Sequence, residues 1–109
     1  FAGAVDFQGV RLWAAPDHTR VVFDTSAAVT YKTFSLVNPD RLVIDVTSAR
    51  VAKSLDTKQV SGGLVKGLRA AQNKKDTLRN VLDLKEATKQ QAYSLKPNEQ
   101  YGHRLVIDI

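Results

Sequence analysis

Residues 104–109 read Arg-Leu-Val-Ile-Asp-Ile, and residues 41–46 read Arg-Leu-Val-Ile-Asp-Val. Two looser copies of the pattern Arg-x-Val-x-Asp occupy residues 20–24 and 79–83. In each copy, apolar residues alternate with charged residues, which is typical of a half-buried β-strand. The pattern therefore predicts four similar strands, and it organises the rest of the chain into two related halves.

Each predicted strand has one apolar face and one charged face, because successive side chains of a strand point to opposite sides. In the last strand, Leu105, Ile107 and Ile109 share the apolar face. This face is expected to line the core, since Arg and Asp are costly to bury without partners. Asn80 interrupts the apolar face of its strand, so we expect it near an edge of the core.

The two halves read as an internal repeat, which covers about residues 5–46 and 64–109. Strands and turns follow the same order in both halves, and the second half differs mainly by a longer final turn at residues 98–103. The repeat alignment pairs Tyr93 with Phe34 and Arg69 with Trp13. At this length, residues 1–109 are expected to form one domain around a single core.

The repeat predicts an all-β fold. Two copies are too few for a solenoid, but two four-stranded units can bury their apolar faces against each other. We therefore predict a β-sandwich of two pseudo-symmetric four-stranded sheets, with an eight-stranded barrel as the alternative. Residues 48–55 lack alternation, and Val51 and Leu55 have the spacing of one helix face, so one short helix is expected between the repeats.

Composition restricts the possible functions. Sixteen Lys and Arg against eleven Asp and Glu give a net charge of +5. Residues 1–52 are neutral, so the excess lies in the second half and favours an anionic partner. No stretch approaches the roughly 20 apolar residues of a membrane-spanning helix, so we expect no membrane insertion. The chain has no cysteine, which excludes disulfides and thiolate metal ligands.

The sequence gives little support for catalysis. His18 and His103 occur in predicted turns, without the spacing of a zinc site, so we expect no metal, no cofactor and no catalytic residue. Nucleic acid is also disfavoured, because single-strand binders need aromatic stacking residues on a sheet face. Aromatic residues are few here, and Phe23 and Phe34 are predicted to point inward. We expect no nucleic-acid partner.

The outward faces of the four predicted strands carry the candidate site residues, which are Arg20, Asp24, Arg41, Asp45, Arg79, Asp83, Arg104 and Asp108. One interpretation is a ladder of exposed cross-strand ion pairs, each contributing about 0.2 to 1 kcal/mol to stability. The other is a flat binding face, on which arginines hold carboxylates and aspartates accept hydrogens from sugar hydroxyls or amides. A ligand with all these groups is a peptide-bearing glycan.

Two stretches, residues 19–24 (Thr-Arg-Val-Val-Phe-Asp) and 38–46 (Asn-Pro-Asp-Arg-Leu-Val-Ile-Asp-Val), resemble the AMIN domain. This module precedes the catalytic domain of periplasmic N-acetylmuramoyl-L-alanine amidases and also occurs in type IV pilus secretins. The resemblance implies a non-catalytic, periplasmic β-sandwich that binds peptidoglycan and helps to place its enzyme at the division septum. The zinc-dependent amidase activity of such enzymes belongs to a different domain.

The resemblance also implies which residues bind. Carried over by position, Arg20, Asp24, Arg41 and Asp45 are the expected peptidoglycan-binding residues, and their repeat partners are Arg79, Asp83, Arg104 and Asp108. We expect a monomer. The alternative partner is a protein, either a divisome component or part of a pilus secretin assembly, which would use the same faces or exposed strand edges.

Overall fold

The computed structural model describes residues 4–51, 56–58, 60–74 and 76–109. These residues form nine strands and no helix, which confirms the all-β prediction. The strands are β1 (Val5–Ala14), β2 (Thr19–Thr25), β3 (Thr30–Leu36), β4 (Arg41–Thr47), β5 (Ala49–Val51), β6 (Val65–Asn73), β7 (Thr77–Leu84), β8 (Gln91–Leu95) and β9 (His103–Asp108). Within the described ranges, no helix could span a membrane.

The strands form two separate sheets, as a sandwich requires. One sheet has five strands in the order β5-β1-β2-β9-β8, and the other has four in the order β3-β4-β7-β6. Neighbouring strands are antiparallel except for β1 and β5, which are parallel. The fifth strand, β5, is an addition to the predicted pair of four-stranded sheets.

The composition of each sheet differs from the prediction that one half of the chain builds one sheet. The chain passes from the five-stranded to the four-stranded sheet after β2, returns to the first sheet for β5, adds β6 and β7 to the second, and ends in the first with β8 and β9. Each sheet therefore contains strands from both halves. The Arg-x-Val-x-Asp strands pair across the halves, β2 with β9 and β4 with β7, because antiparallel pairing puts the arginine of one strand opposite the aspartate of the other.

The core lies between the two sheets and consists of the predicted apolar faces. Its largest fully buried side chains include Phe7, Phe23, Ile44 and Ile107, and the rings of Phe7 and Phe23 pack with centroids 5.3 Å apart. The prediction for Asn80 is wrong, because this side chain is fully buried. Asn80 lies opposite Ile44 on the central strand pair β4–β7, where strand alternation directs it into the core.

The prediction of a short helix is wrong where the structure tests it. Ala49, Arg50 and Val51 form β5, which pairs with the first residues of β1 and widens the five-stranded sheet. The Arg50 Nε donates to Asp6 at 2.6 Å, and the Ser48 carbonyl accepts from the Val5 amide at 2.7 Å. Residues 52–55, the rest of the predicted helix, lie outside the described residues.

Candidate functional site

The candidate site residues lie on the outward faces of the two sheets. On the β2–β9 pair, Arg20 is opposite Asp108 and Asp24 is opposite Arg104, on either side of the pair Val22–Val106. We call these six residues the five-stranded grid.

An equivalent arrangement occupies the β4–β7 pair of the other sheet. Arg79 is opposite Asp45, and Asp83 is opposite Arg41, on either side of the pair Val43–Val81. We call these six residues the four-stranded grid. All eight candidate site residues are therefore brought together as two sets of four, each set drawn from both halves of the chain.

In each grid, one arginine forms an ion pair with the aspartate directly opposite it on the neighbouring strand, and we call these two the closed ion pairs. Arg20 binds Asp108 through two hydrogen bonds, at 2.7 and 3.0 Å, and Arg79 binds Asp45 through two, both at 2.8 Å. The Tyr93 hydroxyl also donates to Asp108 at 3.2 Å. The Asp45 side chain is only 6% exposed, so this pair is part of the packed structure rather than a loose surface contact. These four residues fit the ion-pair interpretation.

The other aspartate of each grid binds an arginine that the sequence analysis missed. Arg11 holds Asp24 at 3.1 and 2.8 Å, and Arg69 holds Asp83 at 2.9 and 2.8 Å. Both arginines come from the strand next to the grid, β1 or β6. Bidentate binding of this kind fixes the position of the carboxylate.

The predicted alignment of Arg69 with Trp13 is wrong, because Arg69 corresponds to Arg11. The register of β1 against β2 shifts between Phe7 and Gly9, and that of β6 against β7 shifts between Val65 and Gly67. These two shifts lie at equivalent places, so the misalignment comes from the hairpins: Trp13 and Arg20 are seven positions apart, whereas Ala71 and Arg79 are eight apart. The signal was present as Gly-Val-Arg at residues 9–11 and Gly-Leu-Arg at residues 67–69.

The remaining two arginines, Arg41 and Arg104, have no carboxylate within ion-pairing distance among the residues that the structure describes. The Arg41 Nε donates to the Pro39 carbonyl at 2.9 Å, and the Arg104 Nε donates to the Gly102 carbonyl at 3.2 Å. A guanidinium has five N–H donors, and neutral carbonyls leave its charge in place. Arg41 and Arg104 are therefore oriented, but their charge is not neutralised.

Aromatic side chains lie near the guanidinium of Arg104. The ring centroid of Tyr101 lies 5.1 Å from this guanidinium and 5.0 Å from that of Arg11. A shallow pocket of about 270 Å³ opens here, lined by Arg11, Leu12, Trp13, Arg20, Val22, Leu95, Tyr101, Arg104 and Val106. Trp13 is 59% exposed. Aromatic rings and arginines are the side chains that most often anchor a ligand or partner.

The prediction that Phe34 points inward is wrong. Phe34 lies opposite Val43 on the outward face, with its ring centroid 5.5 Å from the Arg79 guanidinium. Tyr31 packs against the core instead. Both faces of β3 carry apolar residues, and the face with Tyr31 is the one that packs against the opposite sheet. Phe23 is buried as predicted.

The two histidines, His18 and His103, lie outside both grids. His18 lies 2.9 Å from Asp17 and packs edge-on against Trp13 at 5.6 Å, whereas His103 is the first residue of β9. Throughout residues 4–51, 56–58, 60–74 and 76–109, no three His, Asp or Glu side chains are grouped so that they could hold a metal ion.

The closed ion pairs shift the pKa of their carboxyl groups. Hydrogen bonds from Arg79 hold the pKa of Asp45 below its ordinary value, although burial opposes the shift. Hydrogen bonds from Arg20 lower the pKa of Asp108 in the same way. A carboxyl group whose pKa is lower in the folded state than in the unfolded state stabilises the fold above the unfolded pKa, and this contribution disappears as the pH falls through the folded pKa.

The contribution of Asp45 and Asp108 to stability should therefore be constant from pH 7 to about pH 5 and should decrease below about pH 4, near the unfolded pKa of aspartate. Urea unfolding at a series of pH values measures this. Asp108→Asn removes one of the two groups, so its midpoint should fall less between pH 5 and pH 3. If the unfolding midpoint of Asp108→Asn falls as much between pH 5 and pH 3 as that of the parent, this assignment is wrong.

Comparisons with a family model and with curated proteins both find relatives of this chain. The AMIN domain model matches residues 9–109, which confirms the resemblance seen in the sequence. An N-acetylmuramoyl-L-alanine amidase AmiC from Neisseria meningitidis serogroup B is 36% identical over 110 residues, which cover 97% of this chain and 26% of that protein. The AmiC of Escherichia coli O6:H1 is 33% identical over 104 residues, covering 92% and 25%. The chain spans about a quarter of these curated relatives.

Proposed function

The chain belongs to the AMIN domain family, and from this premise we propose that it is a non-catalytic, peptidoglycan-binding module that targets a periplasmic cell-wall amidase to the division septum. The observation that carries the proposal is the pair of oriented, un-neutralised guanidiniums of Arg41 and Arg104, one on each outward face. Peptidoglycan has free carboxylates on its stem peptides, and an arginine binds a carboxylate through two parallel hydrogen bonds.

The closed ion pairs have a supporting role in this proposal. Arg20 and Arg79 are already bound by Asp108 and Asp45, and they hold the strand pairs in register. Asp24 and Asp83 are held at the edge of each grid with side chains 32% and 29% exposed, so their oxygens can still accept hydrogens from sugar hydroxyls or amides. Within the described residues, each grid thus offers one arginine without an ion-pair partner and one partly exposed carboxylate.

The catalytic step is assigned to another part of the protein. The two relatives carry the name of an amidase, and this chain matches 26% and 25% of their lengths. We propose that the remaining part cleaves the amide bond, and that this module raises the local concentration of the enzyme at its polymeric substrate. Tethering of this kind increases apparent affinity without new contacts at the catalytic site.

Co-sedimentation of the purified chain with isolated sacculi tests the proposal. We expect the parent to sediment at low salt and to bind less as salt is added, because exposed charges are screened. Combining Arg41→Ala with Arg104→Ala should weaken binding by about tenfold or more, because a charged hydrogen bond contributes about 1.5–3 kcal/mol. Neither substitution breaks an ion pair in the described part of the chain, so the unfolding midpoint should stay close to that of the parent.

A matched control removes the same amount of charge elsewhere. Lys58 and Lys85 are exposed and lie outside both grids, so replacing both by alanine should leave sedimentation nearly unchanged. An equal loss in the lysine and arginine variants would show that net charge alone drives binding, against an arginine site. A parent that does not sediment even at low salt would reject the peptidoglycan proposal and favour a divisome or secretin protein as the partner.

A further inference from the structure

The two outward faces share the same ionic grid but differ in the side chains around it. Strand register extends each grid by one strand on either side, through β1 and β8 on one sheet and β6 and β3 on the other. Most equivalent positions of the two extended grids carry the same residue. The three that differ are Trp13 against Ala71, Gln91 against Lys32, and Tyr93 against Phe34.

The largest of these differences is the indole of Trp13. Trp13 lies opposite Arg20 and Ala71 lies opposite Arg79, so the two positions are equivalent. The Trp13 side chain is 59% exposed at the rim of the pocket on the five-stranded face. An exposed ring of this size is costly in contact with water, and its electron-rich face accepts C–H groups of a partner.

A longer connection supplies a second ring on the five-stranded face. Residues 96–102 join β8 to β9 and place Tyr101 against Arg11 and Arg104, whereas residues 37–40 join β3 to β4 and contain no aromatic residue. On the four-stranded face, the nearest ring belongs to Phe34, which is half-buried and already covered by Arg79.

We propose that the five-stranded face contains the sugar-binding subsite, in which Trp13 stacks on a pyranose ring while Arg104 binds a carboxylate of the same glycan-peptide ligand. The inference rests on the proposed function and extends it. The faces of a pyranose that carry axial C–H groups are apolar, and they pack on an indole, whereas the sugar hydroxyls remain in water or reach polar neighbours such as Asp24. The four-stranded face then contributes only the carboxylate contact of Arg41.

The spacing of the two anchors sets the size of the ligand. Trp13 pairs with Arg20 of β2, and Arg104 pairs with Asp24 of β2. Arg20 and Asp24 are four residues apart, which is about 13 Å of backbone at the rise of an extended strand. Both side chains line the same pocket, and a ligand that extends along this backbone spacing is longer than one sugar ring. The subsite therefore fits a sugar that continues into a peptide or into a further sugar, with Val22 and Val106 as its apolar floor.

Tryptophan fluorescence tests the subsite directly, because Trp13 is the only tryptophan in the chain. Two soluble probes separate the chemistries: chitohexaose, which is an uncharged N-acetylglucosamine oligosaccharide, and a disaccharide-peptide fragment released from sacculi. Both should change the emission of Trp13, and a free stem peptide without sugar should not. Unchanged emission with both sugars would overturn the subsite.

Variants measured by calorimetry identify the anchors. Trp13→Ala should weaken binding of both sugar probes by about tenfold, the typical effect of truncating an anchoring aromatic residue. Trp13→Phe should retain part of the affinity. The exposed Val37, at 63%, lies outside the pocket, so Val37→Ala should bind like the parent. Equal affinity of Trp13→Ala and the parent would overturn the role of the indole.

The equivalent arginines test which face binds. Arg104→Ala should weaken the disaccharide-peptide fragment but not chitohexaose, whereas Arg41→Ala should leave chitohexaose unchanged and weaken the fragment less than Arg104→Ala does. An equal loss of the fragment in both variants would overturn the assignment to one face. These failures are separable from failure of the proposed function: a parent that sediments with sacculi but ignores soluble sugars still binds peptidoglycan through its peptides.

Discussion

Replacing Gly63 by alanine is expected to lower the free energy of unfolding by about 3 kcal/mol, through backbone strain together with overpacking. Gly63 has φ of +53°, in the left-handed region that residues with a Cβ rarely adopt. An added Cβ would collide with the Thr19 hydroxyl and lie 3.1 Å from the Ala14 Cβ. Thr19 cannot easily move, because it is buried and its hydroxyl accepts the Leu64 amide hydrogen at 3.1 Å.

Urea unfolding followed by circular dichroism measures this loss. Gly102→Ala is the matched control, because Gly102 is exposed and its added Cβ would meet nothing nearer than the Thr25 carbonyl at 4.0 Å. It should change stability by less than about 0.5 kcal/mol. If Gly63→Ala unfolds at the same urea concentration as the parent, the tight turn between Gly62 and Val65 has a different conformation from the one described.

Removing the Arg79 side chain is expected to cost about 2–3 kcal/mol, somewhat less than a fully buried pair because Arg79 is partly exposed. Arg79→Ala leaves the Asp45 carboxylate with 6% of its side chain exposed and without its two hydrogen bonds. It also removes the contact between the guanidinium and the Phe34 ring. An unpaired buried charge is more costly than the loss of an exposed ion pair.

The Arg11–Asp24 pair supplies the comparison, since its side chains are 46% and 32% exposed. Arg11→Ala should cost no more than about 1 kcal/mol in the same unfolding experiment. Adding Asp45→Asn to Arg79→Ala removes the stranded charge and should recover part of the loss. Equal losses for Arg79→Ala and Arg11→Ala, with no recovery in the double variant, would mean that Asp45 stays well hydrated.

Much of the fold could be predicted because a period of two is a local signal. Leu105 and Ile107 alternate with Arg104 and Asp108, and this alone indicates which side of β9 meets the core. The signal does not say which strand is the neighbour. Any Arg-x-Val-x-Asp strand is complementary to any other in an antiparallel pair, so pairing within a half and pairing between halves satisfy the same pattern.

The site was only partly predictable for a related reason. All four grid arginines share the pattern Arg-x-Val-x-Asp, yet within the described residues Arg20 and Arg79 form ion pairs with aspartates whereas Arg41 and Arg104 do not. The difference arises because Arg11 and Arg69, from neighbouring strands, occupy the aspartates that face Arg41 and Arg104. Only the register of three strands, including a bulge, reveals this.

Asn80 and Phe34 mark a second limit. A single polar residue on an apolar strand face suggests an edge, but Asn80 lies in the middle of the core, where its amide nitrogen lies 3.4 Å from the Ile44 carbonyl. Phe34 belongs to a strand with apolar residues on both faces. In both cases packing against the opposite sheet decided the outcome, and this information is not contained in the neighbouring sequence.

The exchange of strands between the sheets means that neither half of the chain is a folding unit. Each half supplies strands to both sheets, including at least one of the central strands, so removing either half would expose the core and the molecule should unfold in a single step. The same arrangement resembles two identical chains wound into one symmetric dimer and then joined end to end. In that view, the segment between residues 46 and 64 is the link between the two copies, and Trp13 against Ala71 is one position at which the copies differ.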